Sequence, residues 1–169
     1  PNQMKPPVAP LALDYLAHAL RQKGFQVDLL DLCFSTDVAL DVKNYFVHND
    51  VLALAVTLRN TDDTYLASQD FCIDRYKRIV DLLKAQTSAP IILGGSGFSI
   101  IPRDILHYCG LDLGIWGEGE LSLPLLLGRI VSKQNYGDVP GLIYREGRSF
   151  HFNKPRYLDL SRISTPKRS

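Results

Sequence analysis

The chain has 169 residues, of which 46% are hydrophobic and 22% charged, and its formal net charge is +1. That size and balance describe an ordinary globular domain able to bury a core, while so small a charge gives no field to gather nucleic acid or an anionic membrane. No apolar stretch approaches the ~20 residues a membrane span requires, no signal peptide is visible, and Cys33, Cys72 and Cys109 lack the spacing of a zinc site or disulfide framework, so a cytoplasmic protein with reduced thiols is expected.

A proline-rich lead-in, Pro6 to Pro10, precedes Leu13, Leu16, Ala17 and Leu20, which recur at helical spacing. Gly24 ends this helix after Arg21 and Lys23. Residues 25–31 read as a strand, Thr36 or Asp37 as the cap of a short helix through Phe46, and Val51–Thr57 as a central strand covered on both faces. A polar loop, Leu58 to Thr64, then separates that strand from a long amphipathic helix over about 66–86. A third strand at 90–94 breaks into Gly94-Gly95-Ser96-Gly97-Phe98, and a helix follows around Arg103–Tyr108. The fourth strand, near 112–116, breaks at Gly117-Glu118-Gly119-Glu120 into a helix through about Val131. Strands alternating with helices imply right-handed crossovers and a parallel sheet with helices on both faces. After Tyr136 the pattern changes to two short strands around Glu146-Gly147, a hairpin near 142–152. The expected organisation is an α/β domain over 1–136, a hairpin appendage over 137–160 and a linker over 161–169.

Three strand ends carry unusual loops, and in a parallel sheet all three lie at the C-terminal edge, where ligands of open α/β folds bind. The glycines at 94, 95 and 97 leave bare backbone against which a flat or phosphate-bearing ligand can lie. Other chemistry is poorly represented. Asp62-Asp63 without a nearby histidine suits a helix start better than a metal, and Glu118 and Glu120 suit a helix N-terminus in the same way. His18, His48, His107 and His151 are isolated, Trp116 suits the core, and no nucleophile–base arrangement or phosphate-binding lysine loop is present. The domain alone is therefore expected to hold a ligand and to have no catalytic residues of its own.

Several segments, taken in order, resemble one family. Pro7 to Ala17, Gly24 to Leu32, Gly94-Gly95-Ser96-Gly97-Phe98-Ser99, Trp116-Gly117-Glu118-Gly119-Glu120 and Val139-Pro140-Gly141-Leu142-Ile143-Tyr144 are similar to landmarks of the cobalamin-binding domain of cobalamin-dependent radical SAM enzymes. The resemblance implies a flavodoxin-like fold lacking the family's first strand, which would leave a slot between the strands at 25–31 and 51–57. It implies a corrin over the C-terminal edge with its nucleotide tail inserted between strands and loops. On that basis the cofactor-binding residues would be Thr57, Leu58, Arg59, Asn60, Thr61, Asp62, Gly94, Gly95, Ser96, Gly97, Phe98, Gly117, Glu118 and Gly119. In the full-length protein a 4Fe-4S cluster and S-adenosylmethionine would sit in a radical SAM domain of the same chain, and the reaction would be methyl transfer to an unactivated carbon. The Asp-x-His-x-x-Gly motif that supplies a histidine to cobalt is absent, so no histidine from this domain is expected on the lower axial face, where the 58–64 loop would lie instead. The alternative is a flavodoxin-like regulatory or nucleotide-sensing module without cobalamin.

Overall fold

A computed structural model describes residues 10–62, 71–159 and 166. In chain order the elements are α1 (Leu11–Gln22), α2 (Val38–His48), β1 (Leu54–Thr57), α3 (Ile73–Gln86), β2 (Ile91–Gly94), a 3-10 turn (Phe98–Ile100), α4 (Pro102–Cys109), β3 (Leu113–Ile115), α5 (Gly119–Val131), β4 (Leu142–Glu146) and β5 (Ser149–Phe152). The five strands form one sheet in the order β1-β2-β3-β4-β5, so the strand expected to be central at 51–57 is instead an edge strand with Ala55 exposed, because no strand pairs with its outer side among the described residues. β1, β2 and β3 run parallel, whereas β4 and β5 extend the same sheet antiparallel, with Ile115 opposite Leu142 and Ile143 opposite Phe152.

The alternation of β2 divides the interior into two cores. Ile91 and Leu93 face α2, α3 and α4, where Val42, Val80, Leu83, Ile105, Leu106 and Cys109 are buried. Ile92 faces the other way, onto Leu20 of α1 and Leu123, Leu126 and Leu127 of α5. Successive residues of a strand point to opposite faces, so an unbroken apolar run is what a strand sandwiched between helices requires. Burial pushes the pKa of the Cys109 thiol up, keeping it protonated.

Local signals fix the helix ends. The Asp37 carboxylate accepts from Leu40 N at 3.0 Å, capping α2. Pro102 opens α4, and Gly110 closes it in the left-handed conformation, with Leu111 N donating to Leu106 O at 3.0 Å. The beginning of the expected 66–86 helix, at 66–70, lies outside the described residues.

The strand expected at 25–31 does not form. A strand exists only through its ladder, and no strand lies along the outer edge of β1 among the described residues. Residues 25–31 are held by side chains instead. Phe25 and Val27 pack on the α1/α5 core, the Arg21 guanidinium donates to Val27 O at 2.8 Å, and the Tyr45 hydroxyl donates to Asp28 at 2.9 Å.

A candidate cofactor site at the C-terminal edge of the sheet

The loops after β1, β2 and β3 meet at one edge, and their contacts are specific. Leu58 N donates to Gly94 O at 2.8 Å, and Leu58 O accepts from Gly97 N at 2.9 Å and Phe98 N at 3.3 Å. The first two loops are thus joined through main chain at a residue that is itself fully buried. The Ser96 hydroxyl adds a bond to Arg59 O at 2.7 Å. Ser99 then ties the second loop to the third, its hydroxyl donating to Gly95 O at 3.0 Å and accepting from Gly117 N at 3.0 Å.

The glycines fall into two kinds. Gly95 has φ +99°, and a Cβ there would come within 2.6 Å of both Leu58 O and Thr57 Oγ1. Gly97 is as tightly placed, with Asn60 C at 2.8 Å and the Leu58 side chain closer still. Both are glycine because another loop occupies the side-chain position. Gly94 differs: a Cβ there would have only Ile115 O within 4 Å, at an ordinary 3.5 Å. It follows Ile92 on the same face of β2, toward the layer of α1 and α5. Gly119 starts α5 beside Leu16 of α1, whose Cδ1 lies 3.2 Å from where its Cβ would be. At the C-terminal edge, between β2 and these two helices, the backbone is therefore bare without a structural need for it at Gly94.

The remaining candidates are distributed as follows. Thr57 ends β1 opposite Gly94. Arg59 and Asn60 are exposed, and Arg59 is steadied from below by Tyr76 of α3, whose pKa is raised by burial and partly lowered by the Arg59 backbone hydrogen bond. Thr61 O accepts from Cys72 N at 2.9 Å, and Asp62 bridges Phe71. Phe98 is wholly buried over Gly114, so its ring belongs to the core and only its backbone to the loop. The Glu118 carboxylate accepts from Leu158 N, an interaction that reading helix dipoles did not suggest. Trp116 packs on the core, as its sequence context suggests, and its indole N–H donates to Asn153 O at 2.9 Å.

Ser99, Tyr76 and the 153–158 segment escaped the sequence reading. Ser99 carries a usable signal, since a serine one turn after a glycine loop can bond back to the carbonyl four residues earlier. The other two depend on long-range packing.

The edge fits a large flat cofactor that brings its own metal. It offers main chain, glycine and a bare position at Gly94, its serines are committed to bracing the loops, and its loops contain no imidazole. Among the described residues no group of three or more His, Cys, Asp or Glu side chains is placed to hold a metal ion.

Comparison with known proteins identifies the family. The B12 binding domain family matches residues 3–127. The chain is 38% identical over 153 residues to tryptophan 2-C-methyltransferase of Streptomyces laurentii, covering 87% of this chain and 25% of that protein. It is 30% identical over 144 residues to hopanoid C-3 methylase of Methylococcus capsulatus, covering 82% of this chain and 25% of the relative. It superposes with a TM-score of 0.86 on the radical S-adenosylmethionine methyltransferase TsrM of Kitasatospora setae, solved with cobalamin and a [4Fe-4S] cluster bound, at 34% identity over 97% of this chain and 29% of that one. The chain spans about a quarter of the length of the relatives it matches. The family match, on an edge built of bare backbone, decides against a sensor module without cobalamin: this chain belongs to the B12-binding domain family.

Proposed function

We propose that this domain holds cobalamin for a radical SAM enzyme that methylates carbon, with the rest of that enzyme, including a 4Fe-4S cluster and S-adenosylmethionine, carried by a further domain of the same protein. The observation that carries the reading is Gly94, a glycine on the inner face of β2 whose bareness no neighbouring residue demands. The two sequence relatives are named as carbon methylases, and the TsrM structure contains cobalamin and the cluster. Cobalamin, when bound, supplies the chemistry of carrying a methyl group on cobalt.

The chain's own residues bind and orient. Gly94 leaves its face of β2 bare toward the α1 and α5 layer for an extended group, and Gly95, Ser96 and Gly97 present main chain above it. Ser96 and Ser99 hold the three loops in one arrangement, so the edge is organised before any ligand arrives, which lowers the cost of ordering on binding. Arg59, Asn60, Thr61 and Asp62 face the cofactor from the β1 side. No proton transfer is assigned to these residues.

With the nucleotide tail lying against Gly94, the cofactor's own base would be held away from cobalt, and the loop at 58–62 contains no histidine to replace it, so cobalamin in the whole protein is expected to bind base-off without an imidazole from this domain. Electron paramagnetic resonance of the cobalt(II) form tests this. The expected spectrum lacks superhyperfine splitting from an axial nitrogen, and splitting from a protein imidazole would contradict the reading.

A further inference from the structure

We infer that Glu118 is a positioning residue: it straps the chain that leaves the sheet, residues 153–159, across the cofactor edge, and so sets how that segment runs beside the bound cobalamin. The inference rests on the cobalamin reading above for its purpose, while the strap itself is visible without it.

β5 ends at the same edge as the three loops, because Phe152 stands opposite Ile143 near the start of β4, and Leu142 stands opposite Ile115 at the end of β3. From there the chain turns inward. Asn153 N donates to Leu142 O at 3.0 Å, and its side-chain amide donates to Gly137 O and Val139 O, each at 2.8 Å. The next residue, Lys154, accepts at its carbonyl from Gly141 N at 3.0 Å. Pro155 then lies over Gly117, with 3.0 Å between its Cβ and the position a Cβ on Gly117 would take. Leu158 N reaches the Glu118 carboxylate. Successive partners thus step from β4 to the end of β3 and on to the start of α5, a path that crosses the sheet toward the glycine loop of β2.

Glu118 occupies the N-cap position of α5, yet its side chain makes no capping bond to that helix. Its acceptor is used on the tail instead. A carboxylate bonded to a backbone N–H makes a stronger hydrogen bond than a neutral acceptor, and here that bond holds Leu158 at the start of α5. Tyr157, 78% exposed, is the large aromatic that the strap carries along this edge.

Hydrogen exchange on the whole protein, free of cobalamin, tests the strap directly. In Glu118→Ala the Leu158 amide should exchange about tenfold faster, the scale of one lost charge-assisted hydrogen bond, with the exchange of β2 and β3 unchanged. Glu118→Gln, which keeps an acceptor, should recover most of the protection. Leu158→Pro deletes the donor on the other side and should loosen Tyr157 to a similar extent, so the bond remains testable if Glu118→Ala does not fold. With cobalamin loaded, the same variants should release it faster. Unchanged Leu158 exchange in folded Glu118→Ala would overturn the inference, as would faster cobalamin release with the strap still protected, which would make Glu118 a direct cofactor contact. If the parent protein binds no cobalamin, the cobalamin reading fails, and the exchange comparison still decides whether the strap exists.

Discussion

Gly95→Ala is expected to destabilise the domain by about 3 kcal/mol or more, the sum of roughly 1–3 kcal/mol of backbone strain and a similar overpacking cost. At φ +99° an L side chain is strained in any surroundings, and the added Cβ would meet Leu58 O and Thr57 Oγ1, both at 2.6 Å. Leu58 O cannot retreat without losing its bonds from Gly97 N and Phe98 N. For a domain of this size the loss corresponds to a fall in Tm of about 10 °C, measurable by thermal unfolding. Cobalamin affinity should fall with it, but only because the loop that meets the cofactor is no longer held. A Tm within a degree or two of the parent would mean that the β1 and β2 loops do not touch in this way.

Phe98→Ala should cost about as much, roughly 3–5 kcal/mol for removing a buried phenylalanine ring. The ring is fully buried and lies directly over Gly114 in the middle of β3, where a Cβ would collide with it. Its removal opens a cavity between β3 and the α3/α4 core that the glycine beneath cannot fill. The urea midpoint should drop sharply. Cobalamin affinity, measured where the variant is still folded, should change little, because the ring faces the core and only the Phe98 backbone belongs to the loop. Loss of affinity in a variant of unchanged stability would reverse that assignment and put the ring against the cofactor.

The parts of the fold that depend on local pattern were legible. The unbroken apolar run at 90–94 announced a strand covered on both faces, the run at 51–57 announced a strand but not its place at the edge, Asp37 and Gly24 announced helix ends, and Glu146-Gly147 announced the turn of a hairpin. The strand at 25–31 was misread because its composition is that of a strand, while pairing depends on a neighbour that composition does not reveal. At the site, the ordered landmarks led to the family, and the glycine clusters led to the C-terminal edge of the sheet. What they could not reveal was why each glycine is there. Gly95 and Gly97 are bare for the sake of Leu58 and Asn60, and of the three glycines in this loop Gly94 alone is bare with no residue requiring it. Likewise, the carboxylate of Glu118 looks like a dipole partner in sequence and becomes an anchor for Leu158 only once the tail folds back.

That distinction selects the most direct measurement: cobalamin titration into the whole protein carrying Gly94→Ala or Gly94→Val, with Tm recorded for each. A Cβ at Gly94 meets nothing closer than Ile115 O at 3.5 Å, and its backbone is not among the left-handed positions, so Gly94→Ala should keep its Tm. If cobalamin lies against this part of β2, affinity should nevertheless fall about tenfold or more, at least roughly 1.4 kcal/mol, and further in Gly94→Val. A folded Gly94→Val protein that binds cobalamin as tightly as the parent would contradict the placement of the cofactor at this edge.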